Sequence, residues 1–257
     1  MVTPARELDG QVALVTGGAL NIGRAICLDL ADGGAAVCIN ARSSEAAANE
    51  LAADIQAAGG RAMVHMADVT DETAVENMMA AVKSQFGGLN ILINNASFRA
   101  LAPLADMDLK TWRQAQSVTV EGSFLCARAA IPLIKETAAE TGAGSIINIG
   151  GVAAYIGVKD RLHAATAKGA ITAMTRSLAW EVAGTGITVN CLTPGVIDTV
   201  RGASAGKLPP GVSADNLIGR KGKPEEIAAM VRALCGLAGR YVTGQVIHVN
   251  GGMYLGA

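Results

Sequence analysis

Short runs in which nearly every position is apolar alternate along the chain with longer stretches whose apolar residues recur every three to four positions. The short runs are Val12 to Thr16, Ala36 to Asn40, Ala62 to Met66, Ile91 to Asn94, Ser145 to Ile149, Thr188 to Leu192 and Val246 to Asn250. Strands that are apolar on both faces are expected to be covered on both faces, the situation of a parallel sheet sandwiched between helices. The longer stretches predict helices near Ile22 to Asp32, Ser44 to Ala57, Asp71 to Phe86, Leu109 to Glu136, Leu162 to Val182 and Pro224 to Leu237. Gly33, Gly34, Gly59, Gly60, Gly87 and Gly88 stand just beyond helix ends, where a left-handed cap favours glycine. The alternation predicts an α/β fold: one doubly wound parallel sheet with helices on both faces, a single domain over residues 1–257.

A length of 257 residues suits one large domain, and 51% hydrophobic against 17% charged residues gives a chain that folds around an apolar core. The 21 Lys and Arg nearly balance the 22 Asp and Glu, with no basic stripe, so nucleic acid is not an expected partner. No apolar run approaches the ~20 residues needed to cross a bilayer, and Arg6, Glu7 and Asp9 occupy the stretch where a signal peptide carries its apolar core. No membrane association is expected. Cys27, Cys38, Cys126, Cys191 and Cys235 sit mostly in apolar runs and never as C-x-x-C, which fits buried thiols in the cytoplasm. His65, His163 and His248 are too scattered to predict a metal site. The stretch 200–223, rich in glycine and containing Pro209 and Pro210, reads as a mobile substrate-side loop near the carboxyl ends of the strands.

The first strand runs into Thr16-Gly17-Gly18-Ala19-Leu20-Asn21-Ile22-Gly23, which opens a helix. Small residues there let the backbone approach a pyrophosphate at the helix N-terminus. With this motif the sequence resembles the short-chain dehydrogenase/reductase family, over nearly its whole length. Its T-G-x-x-x-G-x-G motif is matched with Asn21 at the middle glycine. Asp68-Val69 is similar to the family's adenine-contacting segment, Asn94-Asn95-Ala96-Ser97 to its N-N-A-G, and Pro194-Gly195 with Thr199 to the segment that orients the nicotinamide amide. The resemblance implies a Rossmann-type fold and a dinucleotide site built from Gly17, Asn21, Ile22, Gly23, Asp68, Val69, Asn94, Ala96, Lys168, Pro194, Gly195 and Thr199. After the second strand no carboxylate follows Ile39; Arg42 offers donors to a 2′-phosphate instead, which favours NADP over NAD. A solvated Arg42 with no such role is the alternative.

The resemblance also implies a Ser-Tyr-Lys set with a supporting Asn. Here Lys168 keeps its place, whereas Gly151 falls at the serine, Ala164 at the tyrosine and Thr119 at the asparagine. Neither Gly151 nor Ala164 can donate a proton, so reduction of ordinary ketones is not expected. Two substitutes are open. Tyr155 follows the fifth strand, as the loop tyrosine does in the dienoyl-CoA reductases of the family, and is otherwise an aromatic wall of the pocket. His163 titrates near neutrality, but a helical turn of about 100° per residue aims it away from Ala164. The readings are an NADP(H)-dependent oxidoreductase with a degenerate site, of the enoyl or dienoyl type, or a catalytically silent subunit that binds cofactor or pairs with an active relative. A small-molecule substrate goes with the first. A homo-oligomer, dimer or tetramer, is expected from the long helices, and a hetero-oligomer from the second reading.

Overall fold

The computed structural model describes residues 6–200 and 216–256. Seven parallel strands form one sheet in the order β3-β2-β1-β4-β5-β6-β7: β1 Val12–Val15, β2 Ala36–Ala41, β3 Arg61–Met66, β4 Ile91–Asn94, β5 Gly144–Ile149, β6 Ile187–Pro194 and β7 Val246–Val249. The strands β1, β2, β4 and β5 are buried at every position, because helices cover both faces. On one face lie α1 (Asn21–Asp32), α2 (Glu45–Ala57) and α8 (Pro224–Cys235): Ile26, Leu30 and Leu51 pack toward β1 and β2, and Ile227 and Val231 close the same core from α8, which lies against α1 and the fifth strand. On the other, α3 (Glu72–Phe86) and α5 (Gly122–Thr141) bring in Val75, Met78, Cys126, Ala130 and Ile134.

The expected helix 109–136 is three pieces. A helix α4 (Leu109–Gln116) passes through one π-helical turn, Ser117–Glu121, into α5, which continues beyond the expected end to Thr141. The join coincides with Gly122, where a Cβ would stand 2.6 Å from Val69 Cγ2, so a wider turn and a bare Cα let the helix meet the loop after β3. By length and composition the run Leu109–Thr141 is long and apolar enough to cross a membrane, contrary to the expectation above. In this fold its apolar side, Cys126, Ala127, Ala130 and Ile134, is fully buried under the sheet. A short helix α6, Ala153–Ile156, occupies what reads in sequence as loop, and α7, Leu162–Glu181, follows it.

One ionic cluster ties chain segments far apart in sequence. The Arg232 guanidinium on α8 reaches both carboxylate oxygens of Glu7 at 2.7 and 3.0 Å, and Asp29 and Asp32 on α1 at 3.1 and 2.8 Å. The fork geometry makes the pair with Glu7 bidentate. Of the expected loop 200–223, residues 201–215 lie outside the described residues.

Candidate active site

The strand order reverses between β1 and β4, and a crevice opens beyond their carboxyl ends. Its walls are fixed by side chains that bond backbone. Thr16 Oγ1 donates to Ile93 O at 3.2 Å and accepts the N–H groups of Asn95 and Ala96 at 3.0 and 3.1 Å. Asn95 Nδ2 donates to the carbonyls of Thr16 and Gly17 at 3.0 and 2.9 Å. These bonds clamp the glycine loop against the end of β4. Gly17 adopts φ +61°, and a Cβ at Gly23 would lie 2.3 Å from Gly17 O, so both positions require glycine. Leu20 supplies no side-chain cap to α1, whose first N–H groups and positive end face the crevice. This cradle, which side chains would fill, fits a pyrophosphate.

Asn21 stands at φ 53°, a conformation that asparagine tolerates and that accounts for it in a position where the family motif has glycine. Its amide does not point into the cradle: Nδ2 donates to Val200 O at 3.0 Å and Oδ1 accepts Val200 N–H at 2.9 Å. The side chain therefore joins the cofactor loop to the segment after β6, a role the sequence did not reveal. Asn94 likewise turns inward, donating to Asn148 Oδ1 at 2.9 Å, while Asn148 Nδ2 donates to Thr175 Oγ1 at 2.9 Å. Asn148 was legible only as a polar residue in an otherwise apolar strand.

At the far end of the crevice, Asp68 Oδ1 accepts the N–H and hydroxyl of Thr70 at 3.0 and 2.8 Å, and Oδ2 lies 3.6 Å from Arg42 Nη1. Burial opposes ionisation of Asp68, but the Thr70 hydrogen bonds and the Arg42 charge outweigh it and hold the carboxyl below its usual range. Arg42 remains mostly open to solvent beside the end of β2, and Val69 packs against Gly122.

Beside the glycine cradle lies a cavity of about 770 Å³. It brings together Ile22, Lys168, Pro194, Gly195 and Thr199 from the expected cofactor set, with Gly151 and Ala164 beside them. A Cβ built on Gly151 would contact Lys168 Cγ at 3.7 Å, so that position faces the lysine with room for a side chain. Lys168 Nζ donates to Ile149 O at 2.5 Å. Burial, with a contribution from the Arg99 charge, pushes the ammonium down to about 8. Thr119 is buried in the π turn, its carbonyl accepting Ser123 Oγ at 2.7 Å.

Tyr155 is placed differently from the expectation of a proton donor at the cavity. It lies on α6, its hydroxyl 3.1 Å from Thr172 Oγ1, and its ring packs 4.7 Å from His248 and 5.0 Å from Tyr254. It is not among the described residues that line the cavity. Nor is His163, whose fully buried ring has no protein hydrogen bond on either nitrogen and lies 6.2 Å from Phe98. Burial, aided by the charge of Arg161, lowers its pKa and keeps the imidazole neutral.

A parallel sheet with a glycine cradle at its switch point and a lysine-floored cavity beside it defines the class of doubly wound dinucleotide-binding domains. The family described as enoyl-(acyl carrier protein) reductase matches residues 17–254. An uncharacterized oxidoreductase of Methylorubrum extorquens is 35% identical over 251 residues, 96% of this chain and 99% of that protein. The 3-oxoacyl-(acyl-carrier-protein) reductase of Synechocystis is 34% identical over 249 residues, 96% of this chain and 98% of the relative. Among solved structures, a short-chain dehydrogenase from Burkholderia cenocepacia in complex with NADP superposes with a TM-score of 0.86 at 33% identity, covering 96% of this chain and 98% of that one. The chain belongs to the short-chain dehydrogenase/reductase family.

Proposed function

We propose that this protein is an NADP(H)-dependent oxidoreductase in which Lys168 is the proton-handling group of the cavity, and that it favours conjugated double bonds over simple ketones. The observation that carries this reading is the convergence of Gly151, Ala164 and Lys168 on one cavity: two positions without a proton to give stand beside a lysine whose pKa of about 8 makes both protonation states accessible near neutral pH. The bound nicotinamide would supply or accept hydride. Gly17, Gly23 and the α1 terminus would hold the pyrophosphate, and Pro194, Gly195 and Thr199 the nicotinamide end. Arg42 would take the 2′-phosphate, and the solved relative that binds NADP supports that choice of cofactor. Lys168 Nζ would hold the nicotinamide ribose and carry the proton that a tyrosine would otherwise give.

The relatives that reduce 3-oxoacyl thioesters make ketone reduction the activity to test against. Turnover of paired ketone and enone substrates, followed at the nicotinamide absorbance, decides it. Enone turnover with ketone reduction at least ~100-fold slower agrees with the missing acid, and equal turnover refutes it. Introducing Gly151→Ser, Thr119→Asn and Ala164→Tyr together is expected to raise ketone reduction, because the Gly151 position already faces Lys168 with space for the hydroxyl. If no substrate turns over although NADPH binds, the silent-subunit reading takes its place, and mixing with an active relative is the test. Exposed Phe124 on α5 and Trp180 on α7 support self-association through those helices. Five buried free thiols support a reducing compartment.

A further inference from the structure

The cavity beside Lys168 is poor in hydroxyls. Of the described residues that line it, only Ser97 and Thr199 carry one, and Thr199 is assigned above to the nicotinamide end. Ser97 stands where the family's N-N-A-G ends on glycine, so its hydroxyl is an addition to the motif. The sheet register shows what it is near. β4 and β5 pair in parallel with Asn94 beside Asn148; Ser97 is the third residue beyond the first, and Gly151 the third beyond the second. Adjacent strands run about 4.8 Å apart. The two positions therefore leave the sheet from neighbouring strand ends, and both line the cavity. The segment bearing Ser97 is held on either side: Thr16 Oγ1 accepts the Asn95 and Ala96 N–H groups, and Ala102 N–H donates to Asp160 O at 2.9 Å. Ser97 is half-buried, and among the described residues its hydroxyl has no protein partner. Lys168 reaches the same region from α7, since its bond to Ile149 O ends two residues before Gly151.

We infer that Ser97 is a substrate-contacting residue that replaces, one strand over, the hydroxyl missing at Gly151: its Oγ–H donates to the carbonyl oxygen of a conjugated substrate. The inference rests on the oxidoreductase reading and deepens it. When the β-carbon of an enone accepts hydride, the displaced electron pair moves through the conjugated bond to the carbonyl oxygen. The enolate oxygen accepts the Ser97 hydrogen bond with no proton transferred; the α-carbon then takes a proton from the Lys168 ammonium, the carbonyl re-forms, and the amine recovers its proton from solvent. A serine hydroxyl can hold charge on oxygen but does not release its proton near neutral pH, which suits an enolate and leaves the alkoxide of a simple ketone without an acid.

The complex with NADP⁺, which has no hydride to give, is titrated with para-dimethylaminobenzylideneacetone, an enone whose absorption lies further to the red when its carbonyl oxygen accepts a hydrogen bond. Ser97→Ala is expected to move the bound spectrum to the blue and to weaken binding ~3–10-fold, with NADP⁺ affinity and melting temperature unchanged. Ser97→Thr, which keeps the hydroxyl, is expected to hold the bound spectrum near that of the native chain. Ser97→Ala/Gly151→Ser is expected to recover it, because a side chain at Gly151 has room beside Lys168. In turnover of an enone with NADPH, Ser97→Ala is expected to lower kcat ~10–100-fold while KM rises less than that. A bound spectrum that Ser97→Ala leaves in place, or a native chain that does not bind the enone, overturns the inference. A spectrum that responds to Ser97→Ala in a protein that turns over no enone overturns the oxidoreductase reading and leaves the Ser97 contact standing. Failure to bind the dinucleotide also overturns that reading, and the same titration of the protein alone still reads the contact.

Discussion

A half-buried lysine with a depressed pKa makes stability depend on pH in a direction that a variant can isolate. The Lys168 ammonium falls from its usual 10.5 to about 8 in the folded protein, while in the unfolded chain it keeps the usual value. Below pH 8 the group is charged in both states and the cost of burying the charge is fully present. Between pH 8 and 10.5 the unfolded chain binds more protons than the folded one, so stability rises with pH through that window as far as this group is concerned. The displacement corresponds to about 3.4 kcal/mol at most; the residue is only part-buried, which reduces the figure to about 1–3 kcal/mol. The thiols act oppositely. Burial raises all five, Cys38 and Cys126 to about 12, so their protons leave the unfolded chain first and stability falls as pH climbs above about 9. The raw pH profile therefore mixes two slopes of opposite sign, but the difference between the native chain and Lys168→Met removes the thiols of Cys27, Cys38, Cys126 and Cys235, which both share, and Cys191→Ala in both backgrounds removes the one thiol that feels the Lys168 charge. Urea unfolding of each protein without cofactor at pH 7, 8, 9 and 10 gives that difference. The native chain is expected to gain on the variant by about 1–3 kcal/mol from pH 7 to 10. A difference that stays flat, or moves the other way, would falsify the placement of a desolvated ammonium at the base of the cavity.

Arg42→Ala is expected to weaken NADPH binding by ~5–30-fold with NADH little changed, a modest effect because the side chain is exposed and already shares Asp68; fluorescence titration measures it. Gly23→Ala is expected to destabilise the protein by about 1–3 kcal/mol and to abolish dinucleotide binding, because the new methyl would press on Gly17 O and Asn95 Nδ2; thermal melts with and without NADPH read both effects. Tyr155→Phe is expected to cost about 0.5–1.5 kcal/mol of stability for the lost bond to Thr172 while leaving kcat near its native value. Loss of turnover without loss of stability would instead make Tyr155 the proton donor.

The sheet was legible because seven apolar runs leave few other ways to cover their faces, and each expected strand is present with its ends moved by no more than a few residues. The tight glycine turn after β1 was legible because Gly17 and Gly23 stand where the backbone admits no side chain. What escaped is tertiary. Periodicity runs unbroken through Ser117–Glu121, so a π turn there is invisible until Gly122 meets Val69. The α6 segment is only four residues, too short for a period to register, and it turns Tyr155 toward Thr172 instead of the cavity. Asn21 matched a motif position, but its amide answers to Val200, 179 residues away, a partner that spacing along the chain could not supply.

The Arg232 cluster has a consequence for the order in which the protein is made. Asp29 and Arg232 are 203 residues apart, and the apolar face of α1 is completed by α8, which carries Ile227 and Val231. At ribosomal speeds of ~5–20 residues per second, α1 waits roughly 10–40 s for that cover, with Ile26 and Leu30 lacking their final partners. Nascent chains that end before α8 leave the outer side of α1 and the adjoining face of β5 without that cover, so premature termination near the C-terminus is expected to yield aggregation or chaperone capture instead of a shortened but working dinucleotide-binding domain.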